Sequence, residues 1–289
     1  MKRHRDNTFL AVAFGLCAFF CFALMNAVAK VLSESHHVIE IAFWRNLLPV
    51  LPLMSWLYIS GQKNKFILIK PELTVFRAFV GITSLCVMFA AYQNLPMADA
   101  TTLIIASVLI TPALSFFVLA ENMGVHRWAA ICFGFLGVVI MVGPSGAISF
   151  WGTVFALSTA FLHSVLTVIL RQIRDQSGIT TTFYFMTFGA LVLSPFVLFV
   201  SRPFSETDIM YMLACSVIGV LGQFCISSAY RFAPTYVIAP LNYTSIVWAS
   251  IFDIVIWSVI PGWPVFVGAA MIFAANLYIL HRERKLNKI

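Results

Sequence analysis

Apolar residues in this chain come in long continuous runs separated by short polar punctuation. The first run extends from Phe9 to about Leu32. Others follow at approximately 38–59, 73–92, 97–119, 127–143, 150–170, 180–200, 208–230, 235–258 and 263–280. Each is near the ~20 residues a helix needs to cross about 30 Å of hydrocarbon. Continuous runs predict helices, because a membrane barrel would alternate with period two. Ser60-Gly61, Leu95-Pro96, Gly143-Pro144-Ser145-Gly146, Arg202-Pro203 and Pro261-Gly262 mark the connections. The pattern predicts an all-α integral membrane protein of about ten transmembrane helices with no soluble domain. Its first run opens like a signal peptide, behind Lys2, Arg3 and Arg5 and with Ala27-Val28-Ala29 as a cleavage-site mimic. It is longer than the roughly 7–15 residues of a signal core, so a retained helix is expected.

The stretches Ala91-Tyr92-Gln93-Asn94-Leu95-Pro96 and Ala229-Tyr230-Arg231-Phe232-Ala233-Pro234 each close one run and open another, 138 positions apart. The same offset places Gly81 on Gly219, Leu103 on Leu241, Ser107 on Ser245 and Gly124 on Gly262. The chain therefore reads as a doubled unit. It comprises a basic N-terminus (1–8), a first five-helix repeat (9–143), a second (150–280) and a basic tail (281–289). An odd unit, duplicated, inserts its second copy upside down, a recurring device of secondary transporters.

Charge orients the bundle. Lys2, Arg3, Arg5, Lys63, Lys65, Lys70, Arg77, Arg127, Arg171, Arg174, Arg231, Arg282, Arg284, Lys285 and Lys288 all fall on one side if ten helices cross. Of the remaining Lys and Arg, only Arg202 lies in an opposite loop. Both termini are then expected to be cytoplasmic.

Composition narrows the function. Of 289 residues, 61% are hydrophobic and only 10% charged, against about 25% charged in soluble domains. The net charge of +7 is accounted for by loops flanking helices, so no nucleic-acid partner is expected. The six cysteines sit inside apolar runs as packing residues. There is no Walker loop, GxSxG, HExxH or CxxC, and His36-His37 lacks further ligands nearby. No catalytic residue, metal site or cofactor is expected, and the chain is not expected to be an enzyme.

Phe43-Trp44-Arg45 early in the second helix, the stretch Arg77 to Pro96, Thr111-Pro112 with Glu121 beyond, and Gly134-Phe135-Leu136-Gly137-Val138 carry a family likeness. On these residues the chain resembles the drug/metabolite transporter superfamily, specifically its EamA-like ten-helix carriers, over nearly its whole length. In the second half Phe183-Tyr184-Phe185 lacks the arginine, and Val259 stands where Glu121 would map. The resemblance implies a metabolite or amino-acid carrier, often an exporter. Helices one, three, four, six, eight and nine would surround its cavity.

Polar residues inside membrane runs are expensive and normally face an interior. Asn26 and Lys30 share a face of the first run, His163 and Thr167 of the sixth, and Gln223, Ser227 and Tyr230 of the eighth. Asn242, Ser245 and Asp253 align on the ninth, with Trp248 near them; Thr101 and Thr102 lie near the outer end of the fourth. Asn26, Tyr92, Thr101, His163, Gln223, Ser227, Tyr230, Asn242 and Trp248 are the cavity candidates. Each also has a plainer use, since polar groups can glue helices together. Lys30, Glu40, Arg45 and Asp253, with Asp99, are expected to form an outer gate of ion pairs. Gly134, Gly137 and Gly143, and Gly268, Ala269, Ala270, Ala274 and Ala275, give small-residue faces suited to a scaffold or a dimer surface.

The function this predicts is alternating-access transport of a small metabolite across the inner (cytoplasmic) membrane. Amino acids or their derivatives, exported or exchanged, lead the substrate list. The alternatives are an uptake carrier for a nucleoside-like or vitamin-like metabolite of the S-adenosylmethionine type, and a drug-type proton antiporter using Asp253. The expected partners are a small-molecule substrate and membrane lipids, with protons as a candidate coupling ion, in a monomer or homodimer.

Overall fold

A computed structural model describes residues 8–59, 68, 70–119, 125–142, 149–173, 178–232 and 238–286. Helices make up the described elements, with no strand among them. The helices are α1 (Thr8–Leu32), α2 (Val38–Ile59), α3 (Pro71–Asn94), α4 (Met97–Ile105), α5 (Ser107–Leu119), α6 (Val125–Val142), α7 (Phe150–Gln172), α8 (Gly178–Val200) and α9 (Glu206–Phe232). A 3-10 turn, Ala239–Tyr243, then leads into α10 (Thr244–Trp257), and α11 (Trp263–Leu286) follows. Among the described residues, seven of the ten predicted runs are long and apolar enough to cross a membrane, the fourth as α4 and α5 together. Trp128–Val142, Leu241–Trp257 and Trp263–Ile279 are shorter apolar helices.

Local chemistry sets the ends. Pro71 opens α3, where a missing amide costs nothing. Leu95, before Pro96, is extended (φ −132°, ψ 155°), so α3 stops and α4 starts afresh. The Ser149 hydroxyl caps α7 by accepting from the Gly152 amide at 3.2 Å.

Helix pairs come in matched sets. α1 packs on α9 and on α10, while α7 packs on α3 and on α4–α5; α2 meets α9 as α8 meets α3. Three pairs sit between equivalent helices: α2 with α8, α4 with α10 and α6 with α11. Directions reverse between the halves. α1 and α3 finish at one end of the bundle, where Lys30 meets Leu95 and Gln93 meets Ser33. Their counterparts α7 and α9 begin there, because Gly152 abuts Leu95 and Asp208 reaches His36. We call this the far end. At the opposite end Lys70 Nζ donates to the Gln172 carbonyl and Arg77 to the Thr181 carbonyl.

Two further features recur at the 138-residue offset. Gly81 leaves room for Phe185, and Gly219 leaves room for Met25 and the Arg45 side chain. The fourth helix of the first half breaks at Ala106, whose amide turns back to the Leu103 carbonyl; the 3-10 turn of the second half ends at Thr244, whose amide turns back to Leu241.

The small-residue faces on α6 and α11 pack against each other. A Cβ on Gly137 would lie 3.0 Å from the Gly268 carbonyl oxygen, and one on Gly134 would lie 3.2 Å from the Ala275 Cβ. They join the two halves inside one chain. Gly143, Glu121 and Gly124 lie outside the described residues.

Candidate functional site

At the far end a carboxylate from one half caps a helix of the other. Pro96 precedes α4 and has no side chain able to hold the helix's first amides. Asp253 of α10 supplies the acceptor: its two oxygens take the Met97 amide at 2.9 Å and the Ala98 amide at 2.7 Å. A negative charge is favoured there by the helix dipole. Lys30, from the last turn of α1, donates to the Leu95 carbonyl at 2.7 Å and sits 3.8 Å from Asp253 Oδ1. Its ammonium lies 4.6 Å from the Trp257 ring centre. Gln93 donates to the Ser33 carbonyl and the Trp257 indole to Glu34. Asp99 is buried in the first turn of α4. The end of α1, the α3–α4 turn and the end of α10 are thereby laced together.

One turn further in lies a chain of neutral polar groups. The Asn26 amide nitrogen donates to the Tyr92 hydroxyl at 3.3 Å, and that hydroxyl is 3.3 Å from Thr101 Oγ1. The Asn26 carbonyl oxygen is buried and has no partner among the described residues. Thr102, the neighbour of Thr101, bonds its own helix at the Ala98 carbonyl. Deeper on α1, Phe20 meets Trp248 edge-on at 4.8 Å and Phe252 at 6.2 Å. The structure thus gathers Asn26, Lys30, Tyr92, Thr101 and Asp253, with Trp248 and Phe20 below them.

The other candidates lie apart from this group. Half-buried His163 and Gln223 make no side-chain hydrogen bond among the described residues. Asn242 only accepts from Ser245, at 3.4 Å. The side chains of Ser227 and Tyr230 lie outside the described residues.

The expected ring of ion pairs divides into separate sites. Glu40 belongs to a second far-end cluster with His36, Ser201 and the Arg202 amide. Arg45 pairs with no acid among the described residues. It is buried between α1 and α9, with Nε 3.2 Å from the Met25 sulfur and one terminal nitrogen without a partner among the described residues. The spacing of charges along the sequence shows depth but not azimuth, and Arg45 turns toward Met25 and Gly219. An apolar groove of about 350 Å³ between α10 and α11 opens among exposed Val247, Ile251 and Ile254, a lipid-facing flank rather than a cargo route.

A family model described as the EamA-like transporter family matches residues 9–143 and again residues 150–280. The chain belongs to that family. This EamA-like transporter is a multi-pass membrane protein, and its bacterial relatives imply an inner membrane. It is 26% identical over 293 residues to an uncharacterised transporter of Helicobacter pylori, covering 95% of this chain and 96% of that one. It is 25% identical to the S-adenosylmethionine uptake transporter of Rickettsia prowazekii, over 94% of each chain. Human solute carrier family 35 member G1 is also 25% identical, over 93% of this chain and 78% of that one. A solved crystal structure superposes with TM-score 0.66 over 98% of this chain and 99% of the other, at 14% identity, a likeness of fold alone. The family and these relatives are transporters rather than enzymes.

Reading the sequence of this EamA-like transporter for sites passes over Asp208, Arg202 and the capping role of Asp253. His36 and Glu40 stand four apart, a spacing that could have flagged them. Asp208 is too distant along the chain for any such signal.

Proposed function

We propose that this transporter moves a small zwitterionic or amphipathic metabolite by alternating access, with Lys30 and Asp253 closing one gate. One observation carries the reading: a charged closure lies one helical turn beyond the Asn26–Tyr92–Thr101 chain, whose amide oxygen has no donor among the described residues. An unpaired amide in a membrane core is costly, and a cargo ammonium would satisfy it. The adjoining charges of Lys30, Asp99 and Asp253 suit a cargo carrying both signs. Amino acids and their derivatives fit this description. S-adenosylmethionine, the cargo named for the Rickettsia relative, is one such derivative with a cation and a planar base. Phe20 and Trp248 offer faces for such groups.

The interruptions at Ala106 and at Ala239–Tyr243 provide each half with a hinge beside the site. The charge bias of the loops supports an outward far end with both termini in the cytoplasm. Asp253 is held by two amides and a lysine, which removes the free carboxylate a drug-type antiporter would expose.

Uptake of labelled S-adenosylmethionine and a labelled amino-acid pool into proteoliposomes tests the reading. Saturable movement of one class is expected. Tyr92→Phe, which removes both hydroxyl contacts, is expected to raise KM about tenfold, equivalent to about 1.4 kcal/mol, with unchanged protein yield. If folded protein moves neither class, the cargo reading is wrong.

A further inference from the structure

We propose that His36, held between Glu40 and Asp208, is a proton-binding site whose occupancy fastens the far end of the transporter shut. This rests on the far end being a gate and adds what operates it.

The turn between α1 and α2 is stiff. The His36 amide donates to the Leu32 carbonyl at 2.8 Å, and the Glu40 amide donates to the His37 carbonyl at 2.9 Å. The imidazole is therefore fixed in place rather than swinging in a loop. Its Nδ1 is 2.9 Å from Glu40 Oε2 and its Nε2 is 3.3 Å from Asp208 Oδ2. The imidazole and Glu40 are 2% and 0% exposed and Asp208 is 19% exposed, so water competes only on the Asp208 side. Phe204 stacks on the ring at 5.0 Å and Trp44 closes the edge of Phe204 at 5.8 Å.

An ionised carboxylate only accepts hydrogen bonds, and a neutral imidazole has one donor and one lone pair. With both carboxylates ionised, both contacts can therefore form together only when His36 is an imidazolium. In the neutral ring, one nitrogen lone pair would face a carboxylate oxygen beside a buried imidazole.

The surrounding charges fit the same conclusion. From the α8–α9 connection, the Arg202 amide faces Glu40 at 3.4 Å and its guanidinium donates to the Ser35 carbonyl at 3.1 Å. Ser201 donates to Glu40 at 3.1 Å. With His36 protonated, two cations balance Glu40 and Asp208. Without that proton the cluster carries one net negative charge. Glu34, His37 and Glu206 are the other titratable groups on these elements, and all three are exposed. Lys30 is engaged with Asp253.

The proton spans the two halves. His36 and Glu40 belong to the first, Ser201, Arg202 and Asp208 to the second. Asp208 is tied to its own turn by the Ser205 amide at 2.9 Å and hydroxyl at 2.6 Å. His36 stays with Glu40 by chain proximity. Loss of the proton therefore parts the contact between His36 Nε2 and Asp208, where the halves meet. Acid closes the far end and alkali releases it.

Nitroxide labels on Ser35→Cys and Glu206→Cys, with the native cysteines replaced by alanine, report this without any cargo. Dipolar broadening between them in proteoliposomes should be strong at pH 5 and weaken by pH 8. His36→Gln should abolish the pH response. Asp208→Asn, which removes the acceptor contributed by the second half, should weaken the acid-induced broadening. Should either variant fail to fold, His36→Lys keeps a fixed cation and should hold the labels together across the range. No pH response in the parent, or the same response in His36→Gln or His36→Lys, would overturn the proposal. Labels that respond in protein that moves no cargo would sink the cargo reading and leave the proton site standing.

Discussion

Replacing Asp253 with alanine is expected to be the most damaging single change at the far end. It strips two charge-assisted acceptors from the start of α4 and leaves the partly buried Lys30 ammonium without its paired carboxylate. Breaking a buried pair from one side costs about 4 kcal/mol, because the surviving charge stays desolvated. Asp253→Asn should cost less, since one amide oxygen can still take one backbone amide. Lys30→Met should cost least, because Asp253 keeps both amides. Thermal unfolding of the purified variants in detergent reads this order directly. An unaltered melting temperature in Asp253→Ala would mean that α4 does not depend on a cap from α10.

The second large effect is expected at the contact between α6 and α11. Membrane helices gain no hydrophobic drive from meeting each other, so close approach of their backbones carries the association. A Cβ at Gly268 would lie 2.8 Å from the Gly137 carbonyl oxygen and 2.5 Å from Met141 Cγ. The backbone oxygen cannot move aside as a side chain can. Gly268→Leu should force the helices apart at a cost of about 3 kcal/mol, the upper part of the overpacking range. Val267→Leu, on the exposed flank one residue away, should leave the melting temperature unchanged. Equal melting of the two variants would refute tight glycine packing between the halves.

Much of this architecture is legible in the sequence because a bilayer imposes it. Continuous apolar runs in Phe9–Leu32 and its successors need an internally bonded backbone, so they must be helices. The offset that pairs Tyr92 with Tyr230 and Gly81 with Gly219 announces the doubling, and the reversed helix directions follow from five runs per unit. The candidate site was harder to read. Asn26 and Lys30 were visible as one face of α1, but not their partners, since Tyr92, Thr101 and Asp253 arrive from distant helices. Arg45 resembled a gate residue by depth, yet its azimuth on α2 turns it toward Met25 and Gly219. Periodicity on one helix cannot specify what the neighbouring helix presents. The helix break at Ala106 gave no sign either, because Ile105-Ala106-Ser107 contains neither glycine nor proline.

Asn26, Tyr92 and Thr101 lie beneath the contact of Lys30 and the α3–α4 turn with Asp253, which joins both halves, and the halves run in opposite directions. Such an arrangement lets similar elements exchange roles, so gradients rather than structure would set the direction of net movement.

The most direct test of alternating access is counterflow in proteoliposomes. Vesicles loaded with unlabelled S-adenosylmethionine, or with the amino-acid class found in the uptake screen, are diluted into a trace of the labelled compound. The account predicts a transient accumulation of label above the equilibrium level, weakened in Tyr92→Phe. Label that enters without saturation, and never overshoots in loaded vesicles, would mean a channel-like path and contradict the central claim.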